Sequence, residues 1–379
     1  MIKKILPIAF AILLLYFFQK EEQYNNKNIQ IASSMPLSGL MQPWGDAVYS
    51  ATKSYFDYAN ENNLVKNRNL EFRVLDDKYE PDLTYENIKK LHQKDIFAFF
   101  GLVGTPTIKR VLPIVYDENI LIFSPFSGAE FLQDRSLSTL INFRASYKQE
   151  LEKLISYLKD KNSKNIAIFY QNDDYGEEGY ISSLQILKNN NLNLASTGNY
   201  KRNTLAIEHA FSEIKNSNPD AIILIGAYRA NSFFLQKAKN DETLKDKIFC
   251  NISFSDANSI IDELKASKTD TKNIIFSQVV PNYDDKNLKI VQEYQEIMKK
   301  YSPNSSLGFL SFESFLASKV LVNALSKANS NLTKKKFIKA IENTPKELLY
   351  EIEIDYKNKH LLKNTYLFEY VEDSFKELK

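Results

Sequence analysis

A polar stretch, 20–28, gives way at Ile29 to an alternating segment that runs to Met35, and from there strand-like and helix-like windows take turns along the chain. Residues 70–75 alternate as well, while 96–100 and 120–123 are short continuous apolar runs, the pattern of parallel strands covered on both faces. Between them lie three windows with apolar side chains at helical spacing: 46–60 (Ala47, Ala51, Tyr55, Tyr58), 82–93 (Leu83, Ile88, Leu91) and 106–117 (Ile108, Val111, Leu112, Val115). A second series predicts strands at 166–170, 221–225, 248–252 and 273–277, separated by helices at 148–159, 177–190, 204–217 and 229–239. A helix at 308–327 and strands at 350–354 and 365–370, with a turn at Lys357-Asn358-Lys359, close the pattern. Alternation at this pace means βαβ units, so the predicted fold class is α/β, with two doubly wound parallel-sheet lobes.

Composition agrees with two lobes. A chain of 379 residues with 44% hydrophobic content can bury two cores. The net charge of +2 gives no basic field that would argue for nucleic acid. The single cysteine, Cys250, excludes an internal disulfide and a multi-cysteine metal site, and its apolar setting predicts a buried, inert thiol. Near the N-terminus, Lys3 and Lys4 precede an apolar run of 14 residues, Ile5 to Phe18, below the roughly 20 needed to span a bilayer. Tyr16-Phe17-Phe18 closes that run where a small-residue cleavage site is expected, so residues 1–28 read as an export signal or an uncleaved membrane anchor, plus a linker. Either way the positive charge before the run puts the globular part outside the cytoplasm.

No catalytic signature stands out: there is no G-x-S-x-G, H-E-x-x-H, G-x-x-x-x-G-K or G-x-G-x-x-G. His92, His209 and His360 are scattered, and the pairs Asp76-Asp77 and Asp173-Asp174 fit loop capping. The expectation is a non-enzymatic protein with no catalytic residue, no metal and no cofactor.

The informative loops follow strands, where open α/β sheets bind ligands. Pro36-Leu37-Ser38-Gly39 leads to Trp44-Gly45, which puts the only tryptophan in a loop before a helix. Phe100-Gly101-Leu102-Val103-Gly104-Thr105-Pro106 puts Thr105 at a predicted N-cap, with Pro106 first in the helix. Phe123-Ser124-Pro125-Phe126-Ser127-Gly128 follows the next strand. In the second series, Asp173-Asp174-Tyr175-Gly176 and Gly226-Ala227-Tyr228-Arg229 hold tyrosines at equivalent strand ends, a predicted lid. Taken singly, Trp44 reads first as an ordinary packed tryptophan, Thr105 as part of a capped helix, and each tyrosine as readily as a surface residue.

Together these loops resemble the branched-chain (leucine/isoleucine/valine) amino-acid-binding family of periplasmic solute-binding proteins, type I fold, which serve ABC transporters. The resemblance runs from Ile29 to about Tyr370 and is most specific in Pro36 to Gly45, Ile114 to Pro125, and Asp174-Tyr175-Gly176. It implies a three-crossing hinge, with 29–146 and 279–354 in lobe 1 and 147–278 and 355–379 in lobe 2. It also implies that the hydroxyl of Thr105 and nearby backbone, Gly104 included, take a ligand carboxylate. Gly128 and Ser253 stand where the family meets a ligand ammonium; neither is charged, and an ammonium shut in a dry cleft without a carboxylate is costly. Phe126 and Phe254 add bulk where small residues are commoner. The implied ligand is a small carboxylate- or amide-bearing molecule with an apolar or aromatic body, lined by Trp44, Gly104, Thr105, Ser127, Gly128, Tyr175, Tyr228 and Ser253. The implied partner is an ABC-type membrane permease, and the implied location of the chain is the periplasm or another extracytoplasmic compartment. A sensory binding protein tethered through residues 5–18 is the alternative, and an exported enzyme a third.

Overall fold

The computed structural model describes residues 22–134, 136–356 and 360–378; the apolar run at 5–18 and the turn at 357–359 lie outside them. Five parallel strands, β1 (Asn28–Met35), β2 (Asn69–Asp76), β3 (Ala98–Phe100), β4 (Ile122–Phe123) and β5 (Leu140–Ile141), form one sheet in the order β2-β1-β3-β4-β5. Helices α1 (Gln42–Glu61), α2 (Pro81–His92) and α3 (Thr105–Asp117) connect its strands. The second sheet contains β6 (Asn165–Gln171), β7 (Asn193–Tyr200), β8 (Ala221–Ile225), β9 (Ile248–Asn251), β10 (Ile274–Gln278), β11 (Tyr366–Val371) and β12 (Ser374–Leu378). Its order is β12-β11-β10-β9-β8-β6-β7, with β11 and β12 antiparallel. Around it lie α4 (Tyr147–Asp160), α5 (Asp174–Asn189), α6 (Glu208–Asn216), α7 (Tyr228–Lys239) and α8 (Ala257–Ala266). The fold is therefore the predicted pair of doubly wound α/β lobes.

Strand chemistry follows from cover. All five residues of β8 are buried, as a central strand between two helix layers requires. β7 (NLASTGNY) is a polar, half-exposed edge strand that the apolar pattern did not predict. The strand predicted at 350–354 does not form. A short 3-10 turn, Lys346–Leu349, precedes it, and Tyr350 adopts φ 51°, which breaks an extended run. Ile352 and Ile354 alternate because an irregular segment drops both into the core.

After β10, α9 (Lys289–Tyr301) and α10 (Phe309–Ala328) return to the first lobe; α11 (Lys334–Glu342) follows. The α10 helix lies against α1, with Thr52 Oγ1 2.9 Å from Ser314 Oγ and the Tyr55 ring edge-on to Phe315 at 5.1 Å. The chain thus passes three times between the lobes. Two passages lie side by side: Asn142 bridges to His360, and Leu362 N–H donates to the Phe143 carbonyl at 2.7 Å. In the first sheet the strand order reverses between β1 and β3, and in the second between β6 and β8. The loops after these four strands therefore face one another at two switch points, where α/β sheets leave a crevice.

Candidate functional site

The α1 helix starts earlier than predicted. Pro43 supplies an N–H-free first turn, so Trp44 sits inside the helix rather than in a loop. A Cβ on Gly45 would run into the Pro36 carbonyl, so only glycine lets the helix leave β1 this closely. The indole is fully buried. Its Nε1–H donates to the Phe254 carbonyl at 3.2 Å, and its ring lies 4.7 Å from Phe254 and 5.5 Å, edge-on, from Phe126.

At the β3 end, Gly104 rather than Thr105 occupies the N-cap of α3, with φ 99°. Thr105 is the first helical residue, so its hydroxyl is free of capping. It lies 2.8 Å from Ser127 Oγ and 3.4 Å from the Tyr147 hydroxyl. Gly128 packs where a Cβ would press on Tyr147 at 2.7 Å. In the second lobe Asp173 caps α5 by accepting from Tyr175 N–H and Gly176 N–H, which aims Tyr175 inward. Tyr175 is fully buried, 5.4 Å from the Tyr147 ring and 4.6 Å from Phe254. Its hydroxyl has no well-formed hydrogen bond, and burial pushes its pKa well up.

Beneath the rings lies a charged cluster. Ser253 donates from N–H and Oγ to the Glu150 carboxylate, both at 2.8 Å, and accepts from Arg144 Nη2 at 2.6 Å. Ser277 Oγ donates to Glu150 at 2.6 Å, and Glu313 receives Arg144 Nη2 at 3.2 Å. Burial opposes the Arg144 charge, but Glu313 and Glu150 outweigh it and hold the guanidinium above its ordinary range. Burial pushes Glu313 up to about 7 in spite of Arg144. The cluster joins both lobes at the hinge.

Trp44 and Tyr175 thus pack on the side chain of Phe254 and Ser253 precedes it in the turn, while Thr105, Ser127 and Gly128 meet at Tyr147 and Gly104 packs on Tyr79, two rings 6.4 and 6.2 Å from Phe254. Tyr228 joins neither group. It lines a lateral crevice of about 860 Å³ with Asp46 and Ser50 of α1, Asp256 and Asn258, and its hydroxyl accepts from Arg229 Nε at 3.2 Å. Tyr175 and Tyr228 therefore do not form one lid: the Ser253–Ser255 turn places Phe254 against Tyr175, while Asp256 beside it faces the crevice that Tyr228 lines. The pattern also missed Tyr79, Arg144, Tyr147, Glu150 and Glu313. Two were signalled: Arg144 interrupts an apolar run, and Glu313 is a lone acid in an apolar helix, a charge that needs a buried partner.

The lobes are shut on each other. Arg202 reaches Glu80 at 3.1 Å, Asn203 reaches Glu80 at 2.6 Å, Glu130 N–H donates to Glu178 at 2.9 Å, and Lys109 pairs with Asp174.

The model of the periplasmic binding protein family matches residues 28–374. A possible leucine/isoleucine/valine-binding protein from Rhodopirellula baltica is 27% identical and superposes with a TM-score of 0.86, covering 94% of this chain and 97% of that one. A branched-chain amino-acid ABC transporter protein from Thermus thermophilus with bound valine is 14% identical, with a TM-score of 0.82 over 94% and 96% of the two chains. An ABC transporter solute-binding protein from R. palustris in complex with benzoate is 13% identical, with a TM-score of 0.80 over 93% and 95%. The chain belongs to the periplasmic binding protein family, with the type I architecture of its leucine/isoleucine/valine-binding members.

Proposed function

We propose that the protein is an extracytoplasmic receptor that closes on a small carboxylate- or amide-bearing ligand and presents it to an ABC-type permease. The observation that carries this reading is the convergence of hydroxyls and rings from both lobes on one place. Thr105, Ser127 and Tyr147 offer three hydroxyls within 3.4 Å steps of Thr105 or closer, and Arg144 sits beneath with Nη1 lacking a hydrogen-bond partner. An anionic head suits such donors, and a charge-assisted contact to Arg144 strengthens it. Trp44, Phe126 and Tyr175 surround the apolar body, with Gly104 and Gly128 allowing close approach and Ser253 at the floor; Tyr228 guards the adjoining crevice. The lobes run 29–146 with 279–354 and 147–278 with 355–379. Hinge closure around ligands is the established behaviour of periplasmic binding proteins. Contacts to both lobes supply the differential affinity that closure needs. Thermal-shift screening of short carboxylates, amides, aromatic acids and amino acids tests the reading. Short carboxylates and amides are expected to raise the melting temperature; a response confined to zwitterionic amino acids would contradict the reading.

The N-terminal apolar run without a small-residue cleavage site supports a second output, a tethered sensor. Comparing the mass of the mature chain in cells with the full-length mass separates the two.

A further inference from the structure

Phe254 stands where a guest's apolar body would be expected. It lies in the Ser253–Ser255 turn after β9, is fully buried, and its ring faces Trp44 at 4.7 Å and Tyr79 at 6.2 Å from the first lobe. From the second lobe Tyr175 lies at 4.6 Å and Tyr147 at 6.4 Å. Four rings, two from each lobe, therefore clamp a side chain of the protein itself. The turn that carries it is firmly held: Glu150 takes both Ser253 donors, and Asp256, at φ 61°, caps α8 through Ser259 N–H. Arg144, which donates from Nη2 to Ser253 beside Phe254 in the chain, keeps a buried donor without a hydrogen-bond partner, Nη1, and lies close enough to Tyr175 for the two to influence each other's charge. Buried donors of this kind are costly unless something accepts from them.

We infer that Phe254 is the size-determining residue of the cleft: its ring fills the aromatic subsite, so the cleft admits a short carboxylate or amide head at Thr105 and Arg144 and excludes a ring-bearing one. The inference rests on the carboxylate reading above. Removing the ring leaves a box of four aromatic walls beside an anion-binding floor, which is the complement of an aromatic carboxylate. Benzoate is then the natural probe, because its ring replaces the deleted one and its carboxylate has the unpartnered Arg144 Nη1 and the Thr105 hydroxyl to meet.

The test is isothermal titration of the full chain with acetate and with benzoate, using wild type, Phe254→Ala, Phe254→Leu and the double variant Phe254→Ala/Thr105→Val. Benzoate is expected to bind Phe254→Ala at least ~10-fold more tightly than wild type, with Phe254→Leu in between. Acetate affinity should change by no more than ~3-fold, and Thr105→Val should remove most of the benzoate gain. Phe254→Leu keeps the comparison available if the alanine variant melts without cooperativity. Equal benzoate affinity in wild type and both Phe254 variants, with acetate still bound, would overturn the size role and leave the carboxylate cleft standing. A benzoate gain indifferent to Thr105→Val would overturn it too, because the probe would then lie elsewhere. Failure of every chain to bind either acid would overturn the carboxylate reading together with the inference.

Discussion

The indole Nε1–H of Trp44, in the first turn of a lobe 1 helix, donates across the cleft to the backbone carbonyl of Phe254, 3.2 Å away in lobe 2. Both residues are fully buried, so this bond forms only when the lobes are shut. Trp44→Phe keeps most of the apolar area and removes the donor. It should cost ~1 kcal/mol of closure, one buried hydrogen bond, with the carbonyl left unpaired adding to that. Small-angle scattering of the ligand-free protein should show a larger radius of gyration in Trp44→Phe than in wild type. Identical curves would mean that the seam does not set the closed state.

The Arg144–Glu313–Glu150 cluster predicts how stability varies with pH. Glu313 is raised from 4.5 to about 7, chiefly by burial. Between those values the folded state keeps a proton that the unfolded state has lost, so stability is highest at the acid end and falls as pH rises from about 4.5 through 7. The contribution is on the order of 3 kcal/mol. Asp77 and Asp256, each raised to about 6 by burial, act in the same direction. Urea unfolding at pH 5 and pH 7.5 should therefore give a smaller difference for Glu313→Gln than for wild type. The slope is the readout, because losing the ion pair also changes the level. An unchanged difference would show that Glu313 does not carry this proton.

Two glycines in the left-handed region should respond differently to alanine. Gly39 (φ 82°) has open space where a Cβ would go, so Gly39→Ala should cost only backbone strain, ~1 kcal/mol. Gly104 (φ 99°) has the Tyr79 ring in that space, and the ring is fully buried. Gly104→Ala should cost ~3 kcal/mol, strain and overpacking together. Denaturant midpoints measure both; equal losses would mean that Tyr79 yields freely.

How much of this was legible depends on where the cause of each feature lies. The 221–225 strand was legible because burial on both faces leaves a continuous apolar run. The edge strand Asn193–Tyr200 was not, since one exposed flank removes that signal. The helices Ala257–Ala266, Lys289–Tyr301 and Lys334–Glu342 and the strand Ser374–Leu378 were also absent from the reading. The helices nonetheless carry apolar residues at helical spacing, Ile290, Tyr294, Ile297 and Met298 in the second of them, so their periodicity was legible and went unread. The 350–354 segment looked like a strand because two isoleucines alternate, but alternation cannot reveal that Tyr350 turns left-handed. At the site, loops after β1, β3, β4 and β6 were legible from their glycines, prolines and position. The Arg144–Glu313 pair was not, since its members are 169 residues apart and meet only when the chain returns to lobe 1. Phe254 was visible as bulk, but its place among four rings is a property of the closed lobes.

The last prediction concerns the rim of the cleft. Arg202, in lobe 2, is half-buried and reaches Glu80 of lobe 1 at 3.1 Å and Asp173 of its own lobe at 3.4 Å. Asp173 also caps the helix that aims Tyr175 inward. Breaking the cross-lobe arm alone should therefore weaken closure without disturbing the site. Glu80 is substantially exposed, so the pair is worth no more than ~1 kcal/mol and is screened by salt. Glu80→Gln should loosen ligand binding by ~2- to 5-fold at low ionic strength, because a smaller closed fraction lowers apparent affinity in proportion. The difference from wild type should shrink as salt rises from about 0.01 M to 0.5 M, where the screening length falls from ~30 Å to a few ångströms. Affinity measured across that range for a carboxylate that binds wild type decides it. A deficit in Glu80→Gln that persisted at high salt would point to lost packing rather than a charged latch.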